Sequence, residues 1–278
     1  MHIIRISAFA FLFFSLSNLY AQDAVRWKFQ TGAAVYSSAT VGDNSVFFGS
    51  GDMNMYLLNK TTGALQWKFT TKGAVQSTPA VSAGKVFVVS SDGNIYAVNQ
   101  STGKLDWVFK TNGEQQYGIW DYYLSSPVVE NGVVYAGSGD SCVYALDAGS
   151  GKCIWKYKTG GIVHATPALA GGVVYIGSYD GNFYALDALT GKLKWKFKTV
   201  GDAYFPLGEI QKAAVIVDNT VIFGSRDYNI YALDANTGTG KWNMKELGSW
   251  IIATPLAYGG NIYFGTSDSH RFYCMDAK

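Results

Sequence analysis

Asp187, Thr190 and Lys192 lie within one short stretch, YALDALTGKLKW (Tyr184 to Trp195). An acid, a hydroxyl and an amine around a TGK tripeptide have the residue types of a phosphate-binding loop. Six aspartates in S-x-D-G-like turns, Asp52, Asp92, Asp140, Asp180, Asp227 and Asp268, have the residue type of a calcium ligand. His164 has the type of a metal ligand or a general base. GSGDS, Gly137 to Ser141, has the look of a nucleophile turn, and Cys142, Cys153 and Cys274 bring thiol chemistry.

Their settings argue for structure instead. A phosphate loop is a longer glycine-rich turn between a strand and a helix, and no helical periodicity follows Lys192. Calcium takes six to eight clustered oxygens, whereas each S-x-D-G turn carries one acid, which suits an Asx turn. His164 has no second histidine or carboxylate in its own motif, and GSGDS is another copy of the aspartate turn. Three cysteines leave at least one thiol unpaired. If Asp147 opposes Lys152, then Cys142 opposes Tyr157 and Cys153 opposes Leu146, which leaves them too far apart for a disulfide. Cys274 takes the small position of the YAL triplet and reads as a buried small apolar residue.

The elements that carry these residues are repeats. YALDALTGKLKW has counterparts at Tyr96–Trp107, Tyr144–Trp155 and Tyr231–Trp242. The tryptophans Trp27, Trp67, Trp107, Trp155, Trp195 and Trp242 are separated by 40, 40, 48, 40 and 47 residues. Periods of this length with strand-like content indicate a propeller or a solenoid. Within His164 to Thr199, TPAL, VVYIGS, FYALDA and LKWKFKT read as four antiparallel strands joined by glycine, aspartate and asparagine turns: one blade. Five such units are complete. The sixth, from ATPLAYGG, stops after its third strand, and AVRWKFQTG near the N-terminus supplies the missing fourth. The expected fold is therefore all-β: a single six-bladed β-propeller over residues 22–278, its ring closed by the N-terminal strand, with no free sheet edge.

Ala185-x-Asp187-x-x-Thr190-Gly191-Lys192-x-x-Trp195 resembles the tryptophan-docking repeat of pyrroloquinoline-quinone-type β-propellers, over residues 24–278. That family includes quinoprotein dehydrogenases and an outer-membrane-assembly propeller, so the resemblance implies the fold more sharply than the activity. It assigns Trp27, Trp67, Trp107, Trp155, Trp195 and Trp242 to docking between blades. The dehydrogenases it brings to mind are larger, eight-bladed chains with a calcium site and an adjacent cysteine pair. This sequence has neither the blade number nor the adjacent cysteines.

Function is expected where the repeat breaks. Thr111–Pro127 and Thr199–Ala214 are about eight and seven residues longer than the equivalent connections, and both join an outer strand to the next inner strand. They bring Tyr117, Trp120, Asp121, Tyr122, Tyr123, Tyr204, Phe205 and Glu209 to the face that carries the aspartate turns. Aromatic planes with a few carboxylates suit a sugar, a planar cofactor or a peptide. The other reading is that these loops fold over the propeller mouth and bury one another. Tyr36, Gln76, Leu124, His164, Gln211 and Ile252 precede the inner strands and are expected to ring the channel, with Trp250 and Arg271 on the same rim.

The 278 residues carry a formal charge of +2, with 15% charged and 15% aromatic residues and 32 glycines. That suits a turn-rich β protein and gives no electrostatic footprint for nucleic acid. Arg5 and the apolar run after it, ending at Ala21, read as a signal peptide over residues 1–21, with export to the periplasm or beyond and no membrane span afterwards. The expectation is a monomeric, non-enzymatic binding module for a protein or glycan, with no cofactor. The alternative is an oxidoreductase holding pyrroloquinoline quinone and calcium over the channel.

Overall fold

A computed structural model describes residues 25–115, 121 and 123–278, and the proposed signal peptide lies outside them. The described strands form six antiparallel sheets and no helix. Blade four shows the unit: β13 (Ala168–Ala170), β14 (Val173–Gly177), β15 (Asn182–Asp187) and β16 (Leu193–Lys198), paired in chain order. Blades one (β1–β4, residues 40–70), two (β5–β8, 80–110), three (β9–β12, 128–158) and five (β17–β20, 215–245) repeat it. Blade six has three strands, β21 (Leu256–Tyr258), β22 (Asn261–Gly265) and β23 (Phe272–Asp276).

The middle strands of blades two to five are apolar on both faces because each of those sheets lies between two others. Every residue of β14 is buried. On β16 only Trp195 is buried and Phe197 half-buried, with lysines exposed between them. The hydrophobic cores follow from this. Five clusters form, each joining consecutive blades: one and two, two and three, three and four, four and five, five and six.

The TGK stretch is where blades lock together. Asp187 Oδ1 accepts from the Thr190 amide at 2.8 Å and the Thr190 hydroxyl at 2.7 Å, which closes the turn. Trp155 of the preceding blade donates from Nε1 to the Ala188 carbonyl at 2.9 Å. Gly191 has φ +70-like geometry (+69°), and a Cβ there would stand 2.6 Å from the Trp155 ring. Glycine is needed for the turn and for the indole that lies on it. Burying such a ring removes ~150–250 Å² from water, roughly 4–6 kcal/mol gross. Trp27, Trp67, Trp107 and Trp195 make the same bond to Lys60, Gln100, Ala148 and Ala235. Trp242 is also packed at a blade junction, but its Nε1 is buried with no partner among the described residues.

A bulge precedes every docking tryptophan of a complete blade and changes one expectation. In blade three the register slips between Ala145 and Leu146, so Cys142 opposes Lys158 rather than Tyr157. Cys153 opposes Leu146 as expected, and all three thiols are free. Cys274 is exposed, not buried, because no outer strand pairs with β23 among the described residues.

The aspartate turns do more than cap themselves. Asp180 Oδ1 accepts from the Asn182 amide at 2.8 Å, while Oδ2 takes the Tyr184 hydroxyl at 2.6 Å and the Gly160 amide at 2.7 Å. Gly160 follows the outer strand of blade three, so the carboxylate ties one blade to the next. Asp52, Asp92, Asp140 and Asp227 bond the amides of Gly32, Lys72, Asn112 and Gly201 in the same way.

The N-terminal segment uses both contacts. Trp27 bonds Lys60, Gly32 bonds Asp52, and Phe29 packs edge-on against Tyr56 at 5.4 Å. Residues 25–31 thus occupy the outer-strand position against blade one. They form no strand, however, and no pairing with β23 is present, which leaves Phe272 74% exposed.

Candidate functional site

The connections from outer to inner strands and the aspartate turns share one face, and the channel opens there. A cavity of about 150 Å³ takes its walls from all six blades: Tyr36 and Ser38, Gln76 and Thr78, Leu124 and Ser126, His164 and Thr166, Lys212, and Thr254. The expected channel ring is therefore present at four of its positions. Gln211 and Ile252 point elsewhere: Gln211 accepts from Arg226 Nη2 at 3.2 Å, and Ile252 lines a neighbouring pocket.

His164 organises the mouth. It is 2% exposed. Its Nε2 lies 2.5 Å from Glu114 Oε1 and its Nδ1 2.8 Å from Asp121 Oδ2. Both carboxylates belong to the first insertion, so one imidazole of blade four holds that loop from both sides. Burial alone would lower the pKa of His164, but hydrogen bonds and charge from Asp121 and Glu114 override it and raise it to about 9. The group is therefore an imidazolium at neutral pH, a bridging cation rather than a general base. Tyr179 donates to Asp121 Oδ1 at 3.0 Å, and its ring stands edge-on to His164.

The expected site residues divide into three groups. Tyr117, Trp120 and Tyr122 lie outside the described residues. Asp121 and Tyr123 are brought to the mouth but face inward: Tyr123 packs edge-on against Tyr36 at 6.3 Å, with Lys212 Nζ 3.1 Å from its ring centroid. Glu209 is buried as well. Phe205 packs edge-on against Trp250 at 4.9 Å, and the Arg226 guanidinium lies 5.5 Å from the Trp250 ring. Arg271 pairs with Glu246 at 2.9 Å. Tyr204 alone among the described aromatics of the insertions projects outward, 81% exposed, near the exposed Val200 and Leu207 in sequence.

Glu114, Tyr179, Lys212 and Arg226 escaped the reading of the sequence, although three of them left a trace. The variable position of the aspartate turn is Gly51, Ser91, Gly139 and Ser267 in four blades, but Tyr179 and Arg226 in the other two. The residue after the channel-ring position is small in five blades and Lys212 in the fifth. Large or charged substituents at small repeat positions mark where the repeat was given another task.

Among the described residues no group of three or more histidines, cysteines and acids is placed to hold a metal ion. Nor is any described helix long and apolar enough to cross a membrane.

The family model described as outer membrane protein assembly factor BamB matches residues 15–121, 119–245 and 205–278. The structure of BamB from Moraxella catarrhalis is similar at a TM-score of 0.76, with 20% identity over 90% of this chain and 76% of that one. Quinohemoprotein alcohol dehydrogenase from Comamonas testosteroni gives 0.61 with 22% identity, over 73% of this chain and 41% of that one. A europium-containing methanol dehydrogenase gives 0.68 with 15% identity, over 86% of this chain and 63% of that one. These likenesses are of fold, and the chain spans less than two thirds of either dehydrogenase. A comparison with curated proteins finds no match.

Proposed function

The chain belongs to the family described as outer membrane protein assembly factor BamB, and from that membership we propose that it is an exported, non-enzymatic scaffold. It takes a protein partner on the face that bears the two insertions. The observation that carries this reading is the contrast between the loops. The described part of the first insertion is spent on the channel mouth, through Asp121 and Tyr123. The second leaves Tyr204 exposed next in sequence to Phe205, whose own ring packs on Trp250. An outward aromatic with exposed apolar residues beside it in sequence suits the centre of a protein interface. A glycan would use the same ring face, and it is the second class of partner to test.

The same reading completes the ring. The N-terminal segment already holds the outer-strand contacts to blade one through Trp27 and Gly32. Pairing the other edge of this segment with β23 makes it the fourth strand of blade six and covers Phe272. The protein then works as a closed monomer in the periplasm or outside the cell, without a resident cofactor.

The quinoprotein alternative draws on fold alone. Small-molecule pockets run to ~300–1,000 Å³, and the channel cavity of about 150 Å³ is lined by Tyr123 and Lys212 themselves. The residues present at the mouth fit a plug better than a planar quinone.

Immobilised mature protein and its Tyr204→Ala variant, exposed to solubilised outer membrane, test the reading. A discrete protein retained by the first and lost from the second supports it. Equal retention by both would place the docking surface elsewhere.

A further inference from the structure

The channel cavity is lined by hydroxyls in an unusual state. The Ser38 amide donates to Thr78 Oγ1 at 3.2 Å, the Thr78 amide to Ser126 Oγ at 2.9 Å, and the Ser126 amide to Thr166 Oγ1 at 3.1 Å. These bonds run from blade to blade around the throat. Each hydroxyl oxygen is used as an acceptor, so its own proton remains to be donated. None of the three donates to another protein group among the described residues. Thr254 adds a fourth hydroxyl to the same wall.

Lys212 enters the cavity from blade five. Its ammonium rests on the Tyr123 ring and makes no ion pair among the described residues. Burial lowers its pKa to about 8, with Asp121 opposing that shift. Glu114 and Asp121, the carboxylates of the first insertion, are held by His164. A partly desolvated cation thus shares a small chamber with several unspent O–H donors.

We infer that this chamber is a binding site for a small oxyanion, a carboxylate or a phosphate, held by Lys212 Nζ and the hydroxyls of Thr78, Ser126, Thr166 and Thr254. Hydroxyl donors and one ammonium converge on the chamber beside the unpartnered Gln76 Oε1, and an oxyanion offers acceptors for those unspent protons. The size agrees, since about 150 Å³ is the space of roughly five waters at ~30 Å³ each. A second cavity of about 260 Å³, between Ile252, Ala253, Thr266 and Ser267, lies against the same Lys212 and Tyr123. Lys212 and Tyr123 thus line both chambers. The inference is independent of the partner surface at Tyr204.

Titration of the full mature chain with inorganic phosphate and, separately, acetate, followed by calorimetry, tests it. Saturable binding of one of them is expected, with affinity falling at least about tenfold in Lys212→Met, the loss of one charge-assisted bond. Thr254→Val, which disturbs no blade-to-blade bond, is expected to weaken binding by a smaller factor. Because Lys212→Met could unfold the mouth, amine labelling of Lys212 in the unaltered chain is read by mass spectrometry with and without the anion. Protection is expected. A short peptide with a free C-terminus, compared with its amidated form, distinguishes a peptide carboxylate from a free anion as the source. The absence of saturable binding by both anions, or binding that neither protects Lys212 nor depends on it, would overturn the inference.

Discussion

Trp155 of blade three donates its indole N–H to the carbonyl of Ala188 in blade four at 2.9 Å, directly over Gly191. Glycines at positive φ in blade four therefore have two separable costs. Gly191→Ala adds a positive-φ penalty and a collision with the indole, an expected loss of ~2–4 kcal/mol. Gly172→Ala, at φ +74° with nothing within 4 Å of the new methyl group, carries the backbone penalty alone, ~1 kcal/mol. Urea midpoints of the two variants check this, and equal losses would remove the docking account.

His164 and Lys212 predict opposite pH responses. The folded pKa of His164 is raised from 6.5 to about 9, so the stability it confers is present below pH 6.5 and is lost as pH rises toward 9. The folded pKa of Lys212 is lowered from 10.5 to about 8, so the folded state is favoured progressively as pH rises from 8 to 10.5. Only the histidine acts between 6.5 and 8. Unfolding free energy is expected to fall across that window in the natural chain and to stay flat in His164→Gln. Chemical denaturation at several pH values reads it.

The two aromatics of the second insertion are predicted to separate stability from binding. Tyr204→Ala changes stability by no more than about 0.5 kcal/mol, since the side chain is exposed. As a hot spot of an interface it weakens partner affinity by ~30-fold or more. Phe205→Ala removes the contact with Trp250 and lowers the melting temperature as well. Thermal denaturation beside a binding titration distinguishes them.

Ring closure has its own signature. If the N-terminal segment pairs with β23, amides of Phe272–Asp276 exchange slowly, and deletion of residues 22–32 makes them fast. Fast exchange in the intact chain would mean that the seam stays open.

The repeat made the architecture readable. Tryptophan spacing, the TGK turn and the four strand signals per unit locate all six sheets. They also expose the two long connections. The bulge before Trp155 was hidden because one extra residue leaves composition unchanged while it shifts every partner beyond it, Cys142 included. The mouth was read only halfway. Asp121 and His164 are both candidates in the sequence, but Glu114 and Asp121 meet His164 across 50 and 43 positions of chain, a closeness that only the packing of blade three beside blade four creates. Aspartates read as turn caps proved also to tie blade to blade, since the amide they accept comes from the preceding repeat.

The most direct test of the scaffold account compares the two faces of the propeller. A photo-crosslinking residue is placed in cells at Tyr204 on the insertion face, and in a second variant at Leu189, 80% exposed in the TGK turn at the opposite end of blade four. The account predicts a discrete protein adduct from position 204 and none from position 189. Adducts from position 189 alone, or from neither, would contradict it.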